Sequence, residues 1–288
     1  MIKYMGLFPK VRIHPTLWIV AGLSVMTAHF VHILMLFLIL FIHEMGHAAA
    51  AHYYKWRIKA ISILPFGGAM ETEEHGNRPL KEDLIVTLAG PIQHVWLLLV
   101  ALFTNKMGLL PHDLFQIFLY LNLGVLFFNL LPIWPLDGGK LLLLTLSKRK
   151  SYMKSQERTL QLSVLFCVAF ALLILFISPL NLSAWIMMGF ILFSIWMEWK
   201  QRHYSFIRFL LERHYGKNDE IFALSPIEAD ENMKIYKVLE QFQRGSKHPI
   251  IIMKNGKERG MLDETELLHA YFSEKQIHGK VGDLLYSY

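Results

Sequence analysis

Long apolar runs, parted by short polar or basic stretches, fill the first two thirds of the chain, and a mixed pattern fills the rest. Four runs, roughly 30–54, 84–104, 113–136 and 160–178, each carry the ~20 mostly apolar residues that a membrane-spanning helix requires. A fifth, about 181–199, lies between Pro179 and Lys200, and a shorter sixth, 16–30, is either a complete span or a partial one. The basic residues arbitrate. With six spans and both termini in the cytoplasm, fourteen Lys and Arg residues between Lys3 and Arg158 fall inside and only Lys106 falls outside. A five-span count breaks that alternation.

Between the second and third spans the pattern changes. "IKAISILPFGGAMETE" alternates in part and is broken by Pro65, Gly67 and Gly68, which predicts a β-hairpin over 58–72. A strand pair beside a membrane helix must satisfy its backbone, so it is expected over a polar cavity or in the interface. Beyond 199 the sequence reads as a basic aromatic connector and linker, 200–220, followed by a small α/β unit, 221–288. In that unit "NMKIYKVLEQFQRG" has helical spacing, "HPIIIMKNG" is a strand closed by a turn, and "DETELLHAYFSE" starts a helix at an acidic cluster. The expected fold class is an α-helical polytopic membrane protein with a C-terminal soluble α/β domain.

Composition agrees with the pattern: 54% of the 288 residues are hydrophobic and 18% charged, against about 25% charged in an average soluble domain. The net charge of +6 does not indicate nucleic acid, because the basic residues flank the apolar runs. No short apolar core with a small-residue cleavage site follows the N-terminus, so no cleavable signal peptide is expected. The single cysteine, Cys167, excludes an internal disulfide framework and reads as a small buried hydrophobe.

The chemistry is concentrated at "FIHEMGHAAA". On a helix His43 and His47 are four residues apart, share a face and stand about 6 Å apart along the axis, so both imidazoles can reach one metal ion. Glu44, between them, can approach a metal-bound water without being a ligand, the division of labour of an H-E-x-x-H metalloprotease. A charged residue in a spanning helix costs about 2.5–3.5 kcal/mol on insertion scales, so Glu44 requires a function or a partner. Catalytic zinc takes a third protein ligand. His29, His32, His52 and His94 are available; His52 lies about 900° of helical rotation from His43 and so on the opposite side. Asp137 in "FNLLPIWPLDGGK" is the better candidate. Pro132 and Pro135 exclude a regular helix there, and Gly138 and Gly139 permit conformations closed to other residues. In the six-span arrangement His47 and Asp137 both lie toward the cytoplasmic ends of their spans and can meet in depth.

"HEMGH" in one membrane helix with "NLLPIWPLDGG" in a later one resembles the site-2 protease family of intramembrane zinc metalloproteases, and "LAGPI" at 88–92 is similar to the family's third core span. The likeness covers roughly residues 12–140. It implies zinc on His43, His47 and Asp137, Glu44 as catalytic base, and Asn129 as a group for the substrate backbone or oxyanion. One departure is that Leu130 follows Asn129 where many members have proline. The tail segment "GKERGMLDETELLHA" resembles the end of a cystathionine-β-synthase (CBS) domain, a module that commonly binds adenine nucleotides such as ATP. Six spans with such a tail resemble a bacterial sporulation subgroup of the family. That resemblance implies a protein substrate, the precursor of a mother-cell sigma factor, cut near the cytoplasmic side of the membrane around the forespore. It also implies membrane-protein inhibitors, and the single CBS-like unit suggests a homo-oligomer. A CBS-gated metal transporter is the alternative; it accounts for His43, His47 and Asp137, but less well for Glu44 and the proline–glycine break.

Overall fold

The computed structural model describes residues 11–285 apart from 14, 27–29, 65, 66, 75, 77 and 217–222. His29, Pro65 and most of the expected 216–220 linker therefore lie outside the described residues. The chain forms two compact units, one of residues up to 74, 81–142 and 162–194, the other of 75–80, 143–161 and 195–288.

In the first unit a short strand β1 (Val11–Ile13) and helix α1 (Pro15–Met26) precede the long apolar helix α2 (Phe30–Tyr53). Strands β2 (Ile58–Leu64) and β3 (Gly67–Thr72) form the expected antiparallel hairpin. β1 adds to it in parallel, giving the order β1-β2-β3 with β3 at an edge. The sheet packs on α2, whose Ala48 and Ala51 join Trp56, Ile58 and Ile61 in a buried cluster. Helix α3 (Leu80–Lys106) opens with Glu82 and Asp83, which complement the helix dipole, and Glu82 accepts a hydrogen bond from Trp56 Nε1 at 3.0 Å. Helix α4 (His112–Asn129) packs on α2 and ends where the prolines begin. Its last turn is closed by Leu130 N–H donating to Leu126 O, a bond that proline at 130 could not make.

The irregular stretch 130–136 leads into helix α5 (Asp137–Ser147), and its backbone is satisfied locally and by Ser163, whose Oγ accepts from Trp134 N–H at 2.9 Å. Gly138 and Gly139 depart from expectation. They sit in the first turn of α5 without a positive φ. What their missing side chains allow is close approach: a Cβ on either would fall on the backbone of 130–134.

Helices α6 (Tyr152–Ile177) and α7 (Leu182–Tyr215) run through both units. The connector 200–215 is thus the second half of one 34-residue helix. Among the described residues four helices, α2, α3, α6 and α7, are long and apolar enough to cross a membrane. The six-span expectation exceeds that count by α1 and α4: residues 27–29, which follow α1, lie outside the described residues, and α4, with 18 residues, carries His112, Asp113, Gln116, Asn122 and Asn129 within its apolar run.

In the second unit Phe206, Phe209 and Leu210 of α7 share one core with Tyr152 and with Phe242, Ile250, Ile252 and Leu267 of the tail. The tail carries a two-stranded sheet, β4 (Ala223–Leu224) with β6 (Ser246–Lys247), and a three-stranded sheet ordered β5 (Ile227–Asp230), β7 (Ile250–Lys254), β8 (Lys257–Leu262). The helical expectation for 232–245 shrinks to α8 (Ile235–Leu239). Helix α9 (Glu264–Phe272) begins as read, with Asp263 and Glu266 forming a capping box, and α10 (Val281–Leu284) follows. Arg213, near the end of α7, donates to both carboxylate oxygens of Glu264 and to Gln243 O and Ser246 O, tying the helix to the tail.

Candidate metal centre

Spacing alone brings His43 and His47 together on α2; the turn after α4 brings Asp137 to them. His43 Nε2 and His47 Nε2 stand 3.1 Å apart, and Asp137 Oδ2 lies 3.2 Å from the first and 3.1 Å from the second. Three donor atoms thus form a nearly equilateral triangle. Tetrahedral zinc with bonds of about 2.0–2.1 Å requires donor atoms about 3.3–3.4 Å apart and a fourth position open to water. Two imidazoles and one carboxylate are also a donor set suited to zinc. The triangle fits the ion.

All three side chains and Glu44 are at most 5% exposed, so charge in this place must be paired or bound. Glu44 contributes a carboxylate oxygen within 4.8 Å of both histidine nitrogens. The other oxygen of Asp137, Oδ1, accepts from Lys140 Nζ at 3.2 Å, one helical turn along α5. That leaves Oδ2 for the histidine side.

Hydrogen bonds behind the triangle set the histidine tautomers. His47 Nδ1 lies 2.8 Å from Val86 O, which can only accept, so Nδ1 carries the proton and Nε2 keeps its lone pair. For His43 the chain is longer. Asn122 donates through Nδ2 to His94 O at 3.0 Å, so its Oδ1 faces His94 Nδ1 at 2.8 Å. A neutral His94 therefore carries its proton on Nδ1 and accepts through Nε2 from His43 Nδ1–H at 3.0 Å. His43 Nε2 is left unprotonated and aimed into the triangle. His94 and Asn122 are completely buried.

Two glycines make room. Gly90 of "LAGPI" packs α3 against the His47 ring, and a Cβ there would overlap the imidazole. Gly68 at the start of β3 lies on Glu44, and a Cβ there would overlap its carboxylate. The hairpin edge thus passes directly beside the acidic side chain.

The remaining sequence candidates separate. His94 supports His43 from behind, and the cluster of potential ligands around His43 and His47 does not take in His32 or His52. Asn129, the last residue of α4, is half-buried; its Nδ2 donates to Val125 O at 3.0 Å. Among the described residues that is its one side-chain hydrogen bond, and it borders an apolar cavity of about 520 Å³ shared with Leu36, Leu40 and Phe128. Asn122, Lys140 and the close fit of Gly68 were not anticipated. A single signal for Asn122 existed, a buried amide within the apolar run "LYLNLGVLFF".

Comparison with known proteins gives a consistent picture. Residues 31–109 and 104–174 match peptidase family M50. The chain is 47% identical to stage IV sporulation protein FB of Bacillus subtilis over the full length of both. It is 30% identical over 167 residues to a zinc metalloprotease of Methanocaldococcus jannaschii, covering 54% of this chain and 48% of that one. The solved structure of a site-2 protease from Methanocaldococcus jannaschii superposes with a TM-score of 0.54 at 27% identity, covering 65% of this chain and 89% of the other.

Proposed function

The chain belongs to peptidase family M50 and is a zinc metalloprotease of the membrane, and from that premise we propose that it removes the prosequence of a sporulation sigma factor at the cytoplasmic side of its membrane. In this reading His43, His47 and Asp137 hold the zinc and Glu44 is the catalytic base. The observation that carries the proteolytic chemistry is the triangle of Nε2, Nε2 and Oδ2 with sides of 3.1–3.2 Å and the Glu44 carboxylate beside it; the choice of substrate is supported by the 47% identity to stage IV sporulation protein FB. A metal transporter has no use for a carboxylate placed so close to the ligands and yet outside their set.

When bound, zinc supplies Lewis-acid activation of water and of the scissile carbonyl. Glu44 takes the proton from the attacking water and delivers it to the amide nitrogen as the C–N bond breaks, so the products are a carboxylate and an amine. Lys140 and Val86 O hold Asp137 and His47 in place, and Asn122, through His94, does the same for His43. A peptide must be extended to present its carbonyl. β3 is an edge strand with Gly68 against Glu44, which supports strand addition of the substrate to the hairpin. Asn129, with one Nδ2 proton committed to Val125 O, has a second to offer to the substrate backbone or the oxyanion.

The finer reading has six spans with both termini in the cytoplasm, in the mother-cell membrane around the forespore. Residues 221–288 form a CBS-like regulatory unit, a place for an adenine nucleotide or a second copy of the chain, and membrane-protein inhibitors restrain the site. Co-expression with the precursor sigma factor, followed by size on a gel, tests the substrate. The wild type should shorten the precursor and Glu44→Gln should leave it intact. An uncut precursor with an active wild type would reject this substrate.

A further inference from the structure

The second unit contains a polar cavity of about 610 Å³ that the proteolytic chemistry does not use. It is bordered by Arg149, Lys150, Lys154 and Arg158, by Ser151, and by Gln243 after α8. None of the four basic side chains is paired with a carboxylate among the described residues; Arg158 donates to Gln161 Oε1 at 3.2 Å. Glu157, the one acid on the border, leaves a clear positive excess. The 26-residue helix α6 begins at the same place, with Tyr152 as its first residue, and adds the positive end of its dipole.

A basic stretch beside a membrane helix is ordinarily explained by topology alone. Ser151 is not. It is 6% exposed, and its buried Oγ has no hydrogen-bond partner among the described residues. A buried hydroxyl left without a partner is destabilising, and its residue borders a cavity surrounded by cations. The hydroxyl can donate or accept, and the surrounding cations favour an acceptor that carries negative charge.

The geometry points to a binding site for a phosphate group, received by Ser151 Oγ at the positive end of α6, whose Tyr152 N–H is already given to Phe242 O at 2.9 Å, and neutralised by Arg149, Lys150, Lys154 and Arg158. The same chemistry is offered by an anionic phospholipid headgroup and by free phosphate. From residue 162 onward α6 is almost wholly apolar, so a headgroup at its first turns would have its acyl chains alongside the membrane part of the same helix.

Purified full-length protein in phosphatidylcholine nanodiscs, with and without about 30% phosphatidylglycerol, separates the sources. Retained lipid is counted by native mass spectrometry, and inorganic phosphate is titrated into the phosphatidylcholine sample. The variants are Lys154→Ala/Arg158→Ala, which removes two charges, and Ser151→Ala, which removes none. Retention of phosphatidylglycerol by the wild type should weaken roughly thirtyfold in the double variant, about fivefold per basic residue, and at least about tenfold in Ser151→Ala, the loss of one charge-assisted hydrogen bond. Phosphate binding with the same variant sensitivity, and no retained lipid, would support the site with free phosphate as its source. If Ser151→Ala binds both ligands like the wild type, or if neither ligand binds, the site does not exist.

Discussion

Replacing Asn122 by leucine tests the hydrogen-bond chain behind His43 at its far end. The side chains are nearly isosteric, so packing is kept while Oδ1 and Nδ2 are lost. His94 Nδ1–H then has no acceptor and His94 O loses a donor. With the proton free to move to His94 Nε2, it faces His43 Nδ1 at 3.0 Å, and the favoured response puts the His43 proton on Nε2, inside the triangle. There it bonds to Asp137 Oδ2, 3.2 Å away, in place of the metal. Loss of such an outer partner costs about 10–100-fold in metal affinity, or about 1.4–2.7 kcal/mol, which matches the about 1–3 kcal/mol of an unsatisfied buried donor. The assay is zinc competition against a chromophoric chelator in detergent, with thermal melting as a control. Asn122→Leu should weaken zinc binding by 10–100-fold and Asn122→Asp, which still accepts from His94, should hold zinc far better. Equal affinities in the two variants would refute the tautomer reasoning.

Other perturbations separate the parts of the site. Gly68→Ala should keep its zinc and lose about 100-fold in turnover, since the methyl displaces Glu44 and misplacement by about 1 Å costs that much; Gly90→Ala displaces His47 instead and should lose zinc, and the reverse pattern in metal analysis would contradict both. Proline introduced in turn at positions 70, 71 and 72 of β3 should slow cleavage at those whose N–H faces the substrate, and indifference to all three would end the strand-addition reading. Arg213→Ala leaves a buried Glu264 carboxylate without its cation, though still accepting from His248 N–H at 2.8 Å, and should destabilise the tail by about 3 kcal/mol; a change below about 1 kcal/mol in calorimetric unfolding would show that the pair is dispensable.

The parts of the site legible in the sequence are those governed by local geometry. His43 and His47 declare themselves by helical spacing, and Asp137 by a proline–glycine break at the end of an apolar run. His94 and Asn122 come from α3 and α4, and only the packing of α2 against those helices makes them partners of His43; no local pattern encodes that. The glycines illustrate the same limit. Gly138 and Gly139 were read through backbone freedom, but their conformations are ordinary and the constraint is a carbonyl run at close range, which only tertiary structure reveals. Gly68 was read as a turn residue and in fact clears space for Glu44. Strand β1, three residues long, is too short to carry a pattern. The number of spans is less legible: residues 27–29 after α1 lie outside the described residues, and α4 ends at Asn129, where the prolines begin, short of the apolar run to 136.

Zinc content and turnover, measured together on purified protein with a peptide spanning the processing site, reach the central claim most directly. Wild type should carry one zinc per chain and cleave; Glu44→Gln should carry the same zinc and cleave nothing; Asp137→Ala should lose both. Cleavage by Glu44→Gln, or full zinc in Asp137→Ala, would contradict the assignment of base and ligand.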